Sequence, residues 1–312
     1  MKFLKKFATR AEYEAYMATN ENYPFVGYIA DEGKVEYANP VNYAELPLHF
    51  IAEEDMTVSF TNPLQYSLDN KTWIPLAKST ATPTINAGST IYFKATGLTP
   101  NSSSGVGRFS TTGHFIAAGN VKSMLLGDNF IEDSAMPNYA FIALFAVSLI
   151  IDAHNLIIPY GTMAQHGCER MFYNCSSLVS APVLPATTLA DSCYYNMFGL
   201  CSSLVSAPVL PATTLAKNCY YYMFQNCSSL VTAPELSATI LVSNCYAYMF
   251  QNCSNLQYIK AMFGTTPGSG YTSDWVSEVK STGTFVKNAA ATWNVTGVNG
   301  IPSGWNVETA TE

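Results

Sequence analysis

Charge is scarce in this chain. Asp, Glu, Lys and Arg make up 12% of its 312 residues, and the formal net charge is −7. Apart from Lys2, Lys5 and Lys6, which read as a solvated helix face, no basic cluster exists to hold phosphates. Nucleic acid is therefore excluded as a partner. Long apolar runs are missing too. Tyr139 to Ile151 is the nearest, and it ends at Asp152, short of the roughly 18–20 residues of a membrane span. Membrane insertion is not expected. The opening MKFLKKFATRAEYEAYMATNE is basic, but Arg10, Glu12 and Glu14 stand where a secretion signal needs an apolar stretch. The chain is read as not exported on a signal of its own. Catalytic motifs are also missing. There is no Gly-x-Ser-x-Gly and no phosphate loop, and His49, His114, His154 and His166 neither recur nor sit beside a nucleophile in a known pattern. Glu53-Glu54-Asp55 reads as a solvated loop. Neither an enzyme nor a cofactor is expected.

What is abundant is ordered. Four segments align: CERMFYNCSSLVSAPVLPATTLA, CYYNMFGLCSSLVSAPVLPATTLA, CYYYMFQNCSSLVTAPELSATILV and CYAYMFQNCSNLQYIKA. Cys175, Cys201, Cys227 and Cys253 are each 26 apart, and Met171, Met197, Met223 and Met249 keep the same step, each followed by Phe. A period of that size marks stacked supersecondary units. Leu144-Phe145 and Pro159 match the first of these units closely enough to make Tyr139–Ile158 a degraded first coil.

Each unit reads as helix, extended segment and turn. Ser192, Asn218 and Asn244 stand at the expected N-caps. A helical step of about 100° puts Cys219, Tyr220, Met223, Phe224 and Cys227 on one face and Tyr221 and Tyr222 on the other. The repeats agree. Cys193, Cys219 and Cys245, Met197 and Met223, and Phe198 and Phe224 do not vary, whereas Tyr195, Tyr221 and Ala247 drift. Tyr195, Tyr221, Tyr222 and Tyr248 are candidate binding residues, because Tyr gives contact area at low entropy cost. A plain helix exterior is the alternative. Glu235 replaces Val183 and Val209, so that position should face out, and period two sends Val179, Val205 and Val231 the same way. An exposed apolar stripe suggests an interface, whereas a one-residue slip would bury it. Strands lie about 4.8 Å apart and helices 8–10 Å, so the stack should curve.

All eight cysteines fall between 168 and 253. Their spacing is not that of a zinc site. Cysteines of one unit would stand ~12 Å apart on a helix, too far to bond. Cys175, Cys193, Cys201, Cys219, Cys227, Cys245 and Cys253 are read as free thiols stacked in the core; bridges between coils remain open.

The motifs M-F-x-x-C-S-S-L and A-P-x-L-P-A-T-T-L, with the closing GTFVK and WNVTGVNGIPSGW, resemble the BspA-like leucine-rich repeats of gut Bacteroidales, over roughly Gly119 to Val307. Ser237 and Ile240 depart from the P-A-T-T turn, and Cys168 is one place off register. The resemblance implies a surface protein that contacts other proteins or cells. Residues 1–45 differ. KKFATRAEYEAYMA reads as a helix with a Thr9-x-x-Glu12 capping box, and PFVGYIADEGKVEYANP as a hairpin around Glu32-Gly33. This opening resembles N-terminal segments of virion proteins from phages of the same bacteria. Short alternating runs over 46–118 read as a small antiparallel β-sandwich.

The expected fold is therefore α+β: a helix and hairpin over 1–45, a β-sandwich over 46–118, a curved leucine-rich-repeat solenoid over 119–269, and a cap and tail over 270–312 holding three of the four Trp. The expected function is a phage head or tail fibre or decoration protein, located in the virion. Residues 1–45 would dock on other virion proteins, and the repeats would bind a host surface protein or glycan. A homo-oligomer, first a trimer, is expected. A bacterial surface adhesin and a purely structural spacer are the alternatives.

Overall fold

The computed structural model describes residues 42–132 and 134–310, together with the backbone of three earlier strands. The chain forms two compact units, Met1–Glu45 and Leu46–Glu312. In the first, strand β1 (Leu4–Phe7) runs parallel to β2 (Phe25–Ile29), which is antiparallel to β3 (Lys34–Ala38). The strands expected around Glu32-Gly33 are β2 and β3. The helix expected from Lys5 does not begin there, because Lys5, Lys6 and Phe7 are in β1. Its capping pair, Thr9 and Glu12, lies outside the described residues.

The second unit opens with strands β4 (His49–Ala52), β5 (Val58–Phe60), β6 (Leu64–Ser67), β7 (Ile74–Leu76), β8 (Thr90–Lys94), β9 (Phe109–Thr111) and β10 (Phe115–Asn120). A single helical turn, α1 (Ser123–Leu126), and strand β11 (Ile150–Ile157) follow. Six strands form one sheet in the order β11-β10-β4-β8-β6-β7, and β5 and β9 form a separate pair. β10 is antiparallel to β4 and parallel to β11. It runs through position 118, and it pairs the sandwich with the first coil directly. Alternation explains the core: Phe50, Val58, Phe60, Ile91, Phe93, Phe109 and Phe115 all point inward and are buried.

Beyond β11 the α+β expectation is overturned. Among the described residues α1 is the only α-helix; besides two short 3-10 turns, Tyr43–Glu45 and Gly127–Asn129, the rest is sheet, turn and irregular chain. The stretches read as helices, around 166–174, 192–200, 218–226 and 244–252, are ribbons of consecutive turns. Their hydrogen bonds show why. Cys168, Arg170, Phe172 and Asn174 donate N–H to the carbonyls of Cys193, Tyr195, Met197 and Gly199 in the next coil. Met171, Tyr173 and Cys175 donate three residues back, to Cys168, Arg170 and Phe172. Half of the donors that a helix would use internally are thus spent on the neighbouring coil. To turn them outward, every fourth residue takes a left-handed φ: Asn218 at 55°, Tyr222 at 58° and Asn226 at 61°. Asn tolerates that region better than most residues. Ser192 at 57°, Asn218 at 55° and Asn244 at 53° are therefore turn residues, not N-caps, which have extended dihedrals.

Without helices the stack has no wide side to make it curve, because both sides of a coil are linked to the next by backbone hydrogen bonds. On the extended side these are single parallel bridges, Asp152 to Ser180 and Ser180 to Ser206. The pattern also outlasts its expected end at Gly270. Tyr246, Tyr248, Phe250 and Asn252 donate to Tyr271, Ser273, Trp275 and Ser277, so 270–278 is one more turn segment. Strands β12 (Tyr258–Ala261), β13 (Thr284–Lys287) and β14 (Asn306–Thr309) then close the end as a parallel sheet. Trp275, Trp293 and Trp305 are buried there, each indole N–H bonded to a backbone carbonyl. Among the described residues no helix is long and apolar enough to cross a membrane.

Candidate functional site

The inward side of the turn segments is built in columns. Phe145, Phe172, Phe198, Phe224 and Phe250 stack at centroid steps of 5.3, 5.4, 5.6 and 5.9 Å. Tyr194, Tyr220 and Tyr246 form a second column, with both steps 5.9 Å. Cys168 stands at the head of that column: its N–H bonds the coil beyond it as those of Tyr194 and Tyr220 do. Cys175, Cys201, Cys227 and Cys253 each donate S–H to the carbonyl of Phe145, Phe172, Phe198 and Phe224 at 3.0–3.1 Å. Cys193, Cys219, Cys245, Met197 and Met223 are buried alongside. All eight cysteines are free thiols, and burial pushes their pKa values up, Cys175 to about 11 and Cys253 to about 12.

On the outer side of the same segments, the four predicted tyrosines come together. Tyr195 stacks on Tyr221 at 5.1 Å, and Tyr222 stacks on Tyr248 at 4.6 Å. Tyr221 meets Tyr222 edge to face at 4.4 Å, which joins the two pairs into one patch. The helical reading placed Tyr221 and Tyr222 about 100° apart, whereas the ribbon makes them adjacent columns in contact. All four are half-buried. Burial, and for Tyr221 a hydrogen bond with Tyr222, pushes the phenols of Tyr195 and Tyr221 up, so both stay protonated.

Residues unmarked in the sequence reading complete the face. Gln225 donates to Gln251 at 2.5 Å, and Asn252 donates to Asn226 at 3.0 Å, as two amide rungs between coils. Arg170 lies over the Tyr195 ring at 5.4 Å and pairs with Glu169 at 3.1 Å. Tyr173 leans over Gly199, where an added Cβ would meet its ring at 3.4 Å and the Asn196 amide at 1.8 Å. The repetition of Gln and Asn at one step of 26 was the available signal.

The extended side carries the predicted valines, and all five are exposed, from Val231 at 39% to Val209 at 77%. Val179, Val183 and Val205 lie between these. Glu235 is exposed in the same row as Val183 and Val209, and it forms an ion pair with Lys260 at 2.9 Å. This stripe is on the other side of the coil from the tyrosines, so the predicted binding residues form two separate surfaces.

The histidines do other work. His49 is buried with its Nδ1 on the Pro47 carbonyl, and desolvation lowers its pKa. His154 and His166 bond Asp152 and Glu169. His114 bonds Glu54 at 2.6 Å and has Ser177 Oγ at 3.5 Å from its other ring nitrogen. That order matches a nucleophile relay. The His114 and Glu54 side chains are, however, 44% and 55% exposed, and Ser177 holds a repeat position shared with Ser203 and Ser229. A cavity of about 600 Å³ beside Met136, Tyr160 and Met163 lies elsewhere. Among the described residues no three His, Cys, Asp or Glu side chains meet as a metal site needs.

No protein-family model, curated protein or solved structure matches this chain.

Proposed function

We propose that the chain is a bacteriophage virion protein, a head or tail fibre or decoration protein, whose coil stack binds the host surface. The observation that carries this is the uncharged tyrosine and amide face of the turn segments, with Tyr195, Tyr221, Tyr222 and Tyr248 locked against one another. Rigid, half-buried tyrosines above an invariant core are the economical way to build a recognition surface. The core columns hold every coil in the same pose, so outer residues vary without cost to the fold.

Attachment to the particle through residues 1–45 is supported by the resemblance of that opening to virion N-termini. Met1–Glu45 is also a compact unit of its own, the form a docking segment takes. The BspA-like resemblance of the repeats favours a second reading, a bacterial surface adhesin that uses the same face.

Two measurements test this. Mass spectrometry of purified virions should find the chain; its absence there, with antibody labelling of the bacterial surface, would select the adhesin. The double substitution Tyr221→Ser and Tyr222→Ser should reduce adsorption of the full chain to host cells at least tenfold, with the thermal transition retained. Unchanged adsorption in a folded variant removes this face from the function and leaves a structural spacer.

A further inference from the structure

We infer that the ligand of the turn face is a neutral glycan, its sugar rings lying on the tyrosines and its hydroxyls bonded by the amide rungs. This rests on reading that face as the binding surface. The charge distribution comes first. The patch itself, the four tyrosines with Gln225, Asn226, Gln251 and Asn252, carries no carboxylate or ammonium. Charges stand at the two ends, as the Glu169–Arg170 pair and as Asp274 and Glu278, and at one edge, where the exposed Asp191 and Lys217 open their turn segments. An acidic or basic ligand laid over the middle would lose hydration with no opposite charge to meet it. A neutral polyhydroxylated ligand avoids that loss.

The amides come second. A hydroxyl is donor and acceptor at once, and a carboxamide offers two donors and two lone pairs. The rungs use one donor of Gln225 and one of Asn252, on Gln251 and Asn226. The remaining N–H groups and lone pairs stand fixed on adjacent coils, matched to neighbouring hydroxyls of one sugar. The rings come third. A hexose is about as wide as a phenol ring and has a C–H face that suits a flat aromatic surface. Edge contacts at 4.4 and 5.4 Å already hold Tyr221 against Tyr222 and Tyr248, so little rotamer entropy remains to be lost on binding.

The test presents the full chain to an array of neutral, sialylated and uronate-bearing glycans, then titrates the best neutral oligosaccharide by calorimetry. The expected result is selective binding of neutral chains that survives a tenfold rise in salt. Affinity should fall at least tenfold in Tyr222→Ala and in the double variant Gln225→Ala with Gln251→Ala, and should be unchanged in Val209→Ser. If Tyr222→Ala does not fold, the surface glutamine pair carries the test. Neutral glycan binding that these variants leave intact overturns the inference. So does a silent array, or one bound only through acidic glycans, when adsorption to cells still depends on Tyr221 and Tyr222; the binding face then stands with a different ligand. Loss of both glycan binding and tyrosine-dependent adsorption overturns the inference and the functional reading together.

Discussion

In the sandwich, phenyl rings meet at varied angles: Phe50 crosses Phe109 at 69°, Phe93 at 55° and Phe115 at 32°. In the coil stack they are almost parallel, with Phe172, Phe198, Phe224 and Phe250 tilted by only 5°, 2° and 3° from ring to ring. The sandwich gathers its rings from strands of different direction, so each contact is individual. The stack repeats one contact by translation, so solving it once solves every coil. Phe145 belongs to both systems, at 5.9 Å from Phe109 and 5.3 Å from Phe172. It joins the two into one buried cluster that runs from Leu48 to Trp305.

That junction is where the comparison breaks most easily. Phe145→Ala is expected to cost about 3–5 kcal/mol, the usual loss for a fully buried ring. It should also split one unfolding transition into two, because the strand-built and translated parts then lose the ring that links their two columns. Phe60→Ala, deep in the sandwich, should cost as much without splitting the transition. Calorimetry and circular dichroism distinguish these outcomes. A single transition in Phe145→Ala would mean that the remaining contacts, the β10–β11 pairing among them, suffice to couple the two parts.

The thiols sharpen the contrast, because all eight lie outside the sandwich. Cys227→Ala removes the S–H donor to the Phe198 carbonyl, and about 1–3 kcal/mol should be lost, read from the denaturant midpoint. Native thiols should resist an aromatic disulfide reagent until the chain unfolds. The pH dependence follows in sign. Unfolded thiols ionise near about 8.5. In the fold, burial holds Cys245 up to about 11 and Cys193 up to about 12. In that window the unfolded chain binds fewer protons, so stability is full below the unfolded pKa and is lost as pH rises towards the folded values. Buried Tyr194, Tyr220 and Tyr246 act in the same direction. A stability curve flat between pH 8 and pH 11 would contradict buried, protonated thiols.

Most inner and outer positions of each coil were legible in the sequence, but Ala247 and Asn196, expected outside, are buried, and the backbone is not the expected helix. Over two turns a period of 3.6 and a period of four select the same residues: Cys219, Met223 and Cys227, then Tyr220 and Phe224. The hydrophobic pattern therefore did not distinguish helix from turn ribbon. The distinguishing residues were the asparagines, Asn174, Asn226 and Asn252, each in the left-handed region. The valine register was legible because Glu235 tests it against the core. The tyrosine patch was legible residue by residue but not as a surface, since contact between Tyr221 and Tyr222 requires adjacent columns. The amide rungs depend on neighbours a full coil apart, which only the stacking supplies.

The smallest expected effect is the most specific to the backbone. Asn174 holds φ at 56°, and its N–H donates to Gly199 in the next coil. In a helix, replacing it by Ala would stabilise and replacing it by Gly would destabilise, with Ala ahead by up to about 1 kcal/mol. In the turn ribbon the order reverses. Ala in the left-handed region costs roughly 1–2 kcal/mol from the clash of its Cβ with the following carbonyl, whereas Gly reaches it freely. Asn174→Gly should therefore unfold within a few tenths of a kcal/mol of the parent, and Asn174→Ala clearly earlier. The same pair of substitutions at Thr90 in β8, where the backbone is an ordinary strand, should show no such preference for Gly. If Ala proves better than Gly at Asn174, the ribbon is not the native backbone, and the hydrogen bonds between coils that separate the stack from a helical array fall with it.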